Sequence, residues 1–371
     1  MKIKHFIIPV LVVVFTLCLI PKSTQAGQEK EQEEQESEII IIPDQVKSVM
    51  EEGMTTREPR SDIPFSIIWH VYLPAQQNMH SVFYFKVKNA DLGFAPEAPQ
   101  QKTPEEKKEE KEEVPPPEVE TTPAKLKANG HVFLQFNRME NEMPQEMIKE
   151  VYIPLNLEAD STSFQPQEEG IYSTGYPLPP GDYLLSMAIT SLNLERIGTQ
   201  YYEFSLPDSL SFTESLGTTP VFFVNNIERM ASPETQAEIH KEFFTYSVLQ
   251  ITPKLENDFS AGENLDIFFF IFGAQPNQEG KFSIDISFEV FEGEEKVIRY
   301  ETAHYDAPLI SQPLPMKKTV IIKTEKEGKT TERREQRDLE QGEYILKLVI
   351  EDKVSGKSLE KSVDFEVVEK S

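Results

Sequence analysis

The chain has 371 residues, with 63 acidic against 37 basic side chains and a formal net charge of −26. A chain so acidic is repelled by polyanions, which argues against nucleic acid and anionic membrane surfaces as partners. Its one cysteine, Cys18, leaves no disulfide or cysteine-ligated metal to staple the fold, so stability has to come from packing.

Residues 1–26 read as an export signal. Lys2 and Lys4 give a positive start, Phe6 to Ile20 an apolar run, and Thr24-Gln25-Ala26 small residues before a cut at Gly27. The apolar run falls short of the about 20 residues a spanning helix needs, and Pro9 and Pro21 sit in it or beside it, so no stable membrane insertion is expected after cleavage. Leu17 stands where a lipoprotein signal needs a small residue before the cysteine. The expected location is therefore outside the cytoplasm, periplasmic or extracellular. Residues 27–38, "GQEKEQEEQESE", cannot bury enough apolar surface to offset the entropy of ordering, and read as a disordered acidic lead. Residues 39–61 read as a short strand and a helix, with Asp44 as cap, Val46, Val49 and Met50 as an apolar stripe, and Gly53 as stop.

From residue 62 the pattern becomes β. Phe65, Ile67, Trp69, Val71 and Leu73 alternate with Ser66, Ile68, His70 and Tyr72, and "SVFYFKVKN" keeps the aromatic and β-branched bias. Residues 62–208 form the first predicted domain, interrupted at about 96–125 by an acidic, proline-rich disordered insertion containing "TPEEKKEEKEEVPPPEVETTP". Residues 209–244 read as a connector, with a strand-like "PVFFVNN" and a helix-like "SPETQAEIHKEFF" in which Ser232 and Glu234 or Glu238 fit a capped turn. Residues 245–371 form the second domain, where "KFSIDISFEVF" places Phe282, Ile284, Ile286, Phe288 and Val290 on one face and polar residues on the other.

The chain repeats itself. "GDYLLSMAITSLNLERIGTQYYEFSL" from Gly181 aligns without a gap on "GEYILKLVIEDKVSGKSLEKSVDFEV" from Gly342, matching Tyr183 with Tyr344, Leu185 with Leu346, Ile189 with Ile350 and Phe204 with Phe365. "NMHSVFYFKV" from Asn78 more loosely resembles "NLDIFFFIFG" from Asn264, and the acidic insertion accounts for the greater length of the first copy. Duplicated units of alternating strands, without a recurring amphipathic helix, predict an all-β protein of two tandem immunoglobulin-like or fibronectin-like sandwiches.

"PDQVKSVMEEGMTTREPRSDIPFSI", "LPAQQNMHSVFYFKVKNADLGF", "ITPKLENDFSAGENLDIFFFIFG" and the repeat from Gly342 resemble the tandem β-sandwich regions of secreted bacterial proteins of the GWxTD-associated or von Willebrand A-associated type. The resemblance covers most of the chain after residue 26 and implies an exported sandwich pair. It departs from those families in their heads: Trp69 is followed by His70 and Val71 rather than by a G-W-x-T-D context, and the two sandwiches leave no room for a von Willebrand A domain. No functional residue carries over.

No spacing points to catalysis, a cofactor or a metal. Ser358 and Lys361 match S-x-x-K, but on a strand they face opposite ways and read as a solvated turn entrance. His70 and His80 could meet across a hairpin, although His70, His80, His131, His240 and His304 lack metal-ligand spacing. Glu351 and Asp352 lie in a turn without a calcium-loop pattern, and Trp69 reads as core rather than as a sugar platform. One strand stands out: in "LDIFFFIFG", Phe268, Phe270 and Phe272 take one face and Ile267, Phe269 and Ile271 the other. A sandwich core buries one face only, so Ile267, Phe269 and Ile271 form a candidate interface, to be covered by the connector, the other domain or a partner. The expected function is a non-enzymatic interaction or structural protein of the bacterial cell envelope or exterior, with another envelope or extracellular protein as partner. A glycan or extracellular-polymer binding module is the alternative, signalled by an exposed aromatic row. A hydrolase, less favoured, would show paired carboxylates with separated pKa values.

Overall fold

The computed structural model describes residues 42–96, 125–326 and 329–369. The export signal, the acidic lead, the strand expected before Ile42 and the acidic insertion, apart from its outermost positions, lie outside the described residues. In chain order the elements are α1 (Asp44–Thr56), β1 (Phe65–Ala75), β2 (Asn78–Lys88), α2 (Asn89–Leu92), β3 (Ala95–Pro96), β4 (Lys125–Glu140), β5 (Met143–Asp160), β6 (Glu169–Leu178), β7 (Gly181–Ser191) and β8 (Ile197–Leu206). They continue with β9 (Gly217–Thr218), β10 (Phe222–Arg229), β11 (His240–Lys241), β12 (Phe244–Tyr246), β13 (Leu249–Pro253), β14 (Asp258–Ser260), β15 (Asn264–Phe272), β16 (Ile284–Glu292) and β17 (Glu295–Arg299). The last are β18 (Ala303–Tyr305), β19 (Leu309–Pro315), β20 (Lys317–Lys326), β21 (Lys329–Asp338), β22 (Gly342–Asp352) and β23 (Ser358–Val368).

Two sandwiches result. In the first, the sheet β1-β2-β6-β11 faces a sheet in which β5, β4, β7 and β8 follow one another and β3 also pairs with β4. Between them lies a core that includes Phe83, Phe85, Leu134, Phe136, Leu185 and Ile189. In the second, β12-β13-β10-β15-β19 faces β14-β23-β22-β16-β17, around Ile267, Phe269, Phe288, Leu346, Leu348 and Phe365. The strand β14 runs parallel to β23, while its neighbours in that sheet are antiparallel.

The sequence repeat is a repeat of geometry. Both copies are hairpins in the same register, Tyr183 opposite Phe204 and Tyr344 opposite Phe365. The ring pairs stack alike, with centroids 5.4 Å apart at 19° in one and 5.5 Å at 21° in the other. Each tyrosine hydroxyl donates to the carbonyl four residues back, Tyr183 to Pro179 at 2.7 Å and Tyr344 to Glu340 at 2.8 Å. This is the tyrosine corner of Greek-key sandwiches, which satisfies a backbone acceptor where the chain crosses between sheets. The copies differ just upstream. In the first, β6 passes to β7 through Pro179 and Pro180 alone; in the second, the hairpin β20-β21 intervenes, so the acidic insertion is not the whole length difference between the copies.

Three local expectations change. Helix α1 does not stop at Gly53 but runs on to Thr56, where Arg57 takes a left-handed φ of 63° and its N–H bonds the Gly53 carbonyl. Gly53 serves close approach instead: a Cβ there would meet the Tyr201 hydroxyl at 2.2 Å. Nor is Asp44 a cap, since it is the first helical residue and Pro43 precedes it without a side-chain bond. The helix is held by docking rather than capping, because Val46 and Met50 bury against Phe133, Ala188 and Ile197 on the outer face of the first sandwich. Finally, the connector keeps its expected strand but not its expected helix. "PVFFVNN" becomes β10, inserted between β13 and β15 of the second sandwich. The helix expected from Ser232 does not form: Ile239 packs on the first core and His240 and Lys241 pair with β6, a tertiary contact that outweighs helical propensity.

Those strands weld the sandwiches together. Val71, Leu73, Val82 and Tyr84, on the side of the β1-β2 pair away from the first core, meet Phe222, Val224, Phe244, Ile251 and Phe268 in a third apolar layer. A bulge at Ile68 makes this possible. It shifts register between Ile67 and Trp69, so Phe65 and Ile67 face the first core whereas Trp69, Val71 and Leu73 face the second sandwich.

Candidate functional site

A cleft of about 530 Å³ opens on the first sandwich. The end of β5 supplies one wall with Asn156, Glu158 and Asp160. The turn that follows is shaped by Asp160, whose Oδ1 accepts from the Thr162 N–H and hydroxyl, both at 2.8 Å. Phe164 from that turn lies 5.0 Å from Phe94, and Asn89 Nδ2 donates to the Gln165 carbonyl at 3.0 Å, tying the turn to α2. Tyr172 of β6 and Phe243 line the cleft too, with His240 and Lys241 beside them on β11. Half-buried aromatic rings rimmed by amides and carboxylates suit a polar ligand with apolar faces.

Both carboxylates of this wall are held ionised by their neighbours. Hydrogen bonds from Lys125 and then Lys127 hold the Glu158 carboxyl below the usual carboxylate range, and the Thr162 backbone bond does the same for Asp160. Burial pushes the Tyr172 hydroxyl up to about 12, with the Glu242 charge adding to it.

The residues singled out by sequence lie elsewhere. Ile267, Phe269 and Ile271 are fully buried in the core of the second sandwich, so the face expected to be an interface is the core face. The interface belongs to the opposite face: Phe268 joins the layer between the sandwiches, and Phe272 reaches the first core with Phe212 stacked on it at 5.3 Å and 12°. It is covered inside the chain, by the first sandwich and the former connector together. His70 and His80 do not meet. His70 stacks on Phe83 at 4.7 Å inside the first sandwich, whereas His80, paired with Leu73, sits near Tyr246 on the other side of the sheet. Asp352 is buried as a turn former, taking the Val354 and Gln275 N–H groups and the Ser355 hydroxyl. Burial alone would raise its pKa, but these bonds together lower it. Ser358 and Lys361 are exposed on β23, three residues apart along the strand and so on opposite faces. Trp69 is half-buried in the layer between the sandwiches, edge-on to Tyr84 and Phe222 at 5.4 Å each.

The cleft residues carried no periodic signal, because they come from a strand end, a turn and the two-residue β11. An aromatic ring alone in polar surroundings, Phe164 in "STSFQPQEEG", was the one available cue.

No family model matches the chain, and no curated protein matches it. Among solved structures, a mutant of Salmonella alpha-2-macroglobulin aligns at 10% identity with a TM-score of 0.16, over 82% of this chain and 16% of that one. So low a score carries no argument. Among the described residues no helix is long and apolar enough to cross a membrane.

Proposed function

We propose that the protein is an exported, non-enzymatic interaction or structural module of the bacterial cell envelope or exterior, acting on another envelope or extracellular protein. The observation that carries this is the apolar layer around Phe268, Phe222 and Tyr84, which joins the sandwiches as one body and holds their outer faces in fixed relation. A scaffold needs that rigidity, whereas domains on a flexible linker cannot set spacing between partners. The test is cross-linking and co-purification of the tagged full-length protein from fractionated cells. One or a few envelope proteins should be recovered in constant ratio, with the tagged chain beginning at Gly27; retention in the cytoplasm, or turnover of an envelope polymer by the pure protein, would overturn the proposal.

A second reading, glycan or extracellular-polymer binding, is favoured by the aromatic pair Phe94 and Phe164 in the cleft. Calorimetric titration with soluble envelope polysaccharides should then show binding that Phe164→Ala abolishes without changing the melting temperature.

A further inference from the structure

The crossover between the sandwiches carries a second cluster, on the edge of the cleft. The chain leaves β10 in the second sandwich, pairs with β6 of the first as β11, and returns as β12 within a few residues. In that passage, one ligand atom from each of Glu234, Glu238 and His240 lies within 4.8 Å of the other two. We propose that these three side chains bind a divalent transition-metal ion of the zinc class, which would hold the crossover in its irregular path beside the first sandwich.

The donor set selects the ion. One imidazole nitrogen with two carboxylates suits zinc and its first-row neighbours, whereas calcium and magnesium favour all-oxygen shells. The histidine is already placed: its backbone pairs with Ser173, its ring stacks on Phe243 at 4.7 Å and 29°, and its side chain is 11% exposed. Its Nε2 lies 3.0 Å from Glu234 Oε2, close to the about 3.3 Å that separates two ligands on a tetrahedral zinc. The Glu234 carboxylate is itself oriented, since the Thr245 hydroxyl donates to the same Oε2 at 2.7 Å, an outer-shell contact of the kind that fixes metal ligands. Glu238 is exposed, and its ligand atom already lies within 4.8 Å of those of Glu234 and His240. Three protein ligands leave one position for water, and the adjoining cleft, which His240 also lines, gives ion and water a way in.

The sequence hid this set. Glu234 and Glu238 suggest one face of a helix, but the segment is irregular and ends in a strand, and that geometry turns His240 back toward both carboxylates.

The test uses the full-length protein after treatment with a chelator. Zinc chloride titrated by calorimetry should bind one to one and raise the melting temperature, with magnesium and calcium chloride inert, and cobalt should give the intense visible bands of a four-coordinate site. Glu238→Gln, at an exposed position, should leave the metal-free melting temperature unchanged, weaken zinc binding at least about tenfold and alter the cobalt spectrum. His240→Gln should abolish binding. No saturable zinc binding in the submillimolar range would overturn the proposal, as would one-to-one binding that both variants leave intact.

Discussion

His70 makes the stability of the first sandwich depend on pH, in a window it shares with buried His80. Burial lowers its pKa from 6.5 to about 3, because Phe83, Phe204 and Tyr202 close around the ring and no carboxylate is among its ring contacts. Its polar contact is the neutral Ser81 hydroxyl at 3.4 Å. The folded protein thus refuses a proton that the unfolded chain accepts, so stability is complete above about pH 6.5 and is lost as pH falls toward 3. At pH 5 the deficit is about 1.5 pH units at 1.36 kcal/mol each, or about 2 kcal/mol; part of the imidazole edge still reaches water, which makes this the upper figure. Asp352 titrates below this window, since its carboxyl is held below 3.8. Urea denaturation at intervals from about pH 7.5 to 5, followed by the fluorescence of Trp69, should show the midpoint falling in step. His70→Phe, which keeps an aromatic ring on Phe83, should remove about half of that slope, because burial also lowers His80 to about 4 and it titrates over the same range; His70→Phe combined with His80→Phe should remove most of it. An equal slope in His70→Phe, or a titration of the His70 ring near pH 6.5 in the folded protein by NMR, would refute the reasoning.

Phe268→Ala opens a cavity between the sandwiches and should cost about 3 to 4 kcal/mol, splitting a single calorimetric transition into two as the bodies uncouple. Phe269→Ala should cost a similar amount but lower the second sandwich alone. Tyr183→Phe and Tyr344→Phe each remove one corner hydrogen bond, and chemical denaturation should report a loss of about 1 kcal/mol for each, additive in the double variant because the corners lie in different cores. Gly53→Ala would ordinarily stabilise a helix by about 1 kcal/mol, yet it should lower the melting temperature here, since the added methyl would collide with the Tyr201 ring and the Glu58 carbonyl.

What the sequence determined was everything that rests on period and on local chemistry. Alternation over "KFSIDISFEVF" fixes a strand with one wet face, and it is observed as β16. The ungapped match of residues 181–206 with 342–367 gives the repeated hairpin and, with the looser match of Asn78 to Asn264, the duplicated sandwich, whereas the corner hydrogen bonds of Tyr183 and Tyr344 appear only in the structure. What the tertiary structure decided was every choice between equivalent faces. A strand apolar on both sides, as β15 is, gives no local reason for Phe269 rather than Phe268 to enter the sandwich core; the sheet that packs against it settles that. The bulge at Ile68 is likewise invisible in a stretch whose alternation of Phe65, Ile67, Trp69, Val71 and Leu73 reads as one face, although it turns Trp69, Val71 and Leu73 toward the other sandwich. The segment from Ser232 to Phe244 has helical spacing and becomes irregular chain and strand, because the exposed edge of β6 offers its backbone hydrogen bonds that a short isolated helix cannot match. Cleft and cluster both depend on that pairing. The cleft residues come from separate elements, and the cluster, though its members lie within residues 234–240, takes its geometry from the irregular path that this pairing imposes, so neither shows a metal or binding spacing in the sequence.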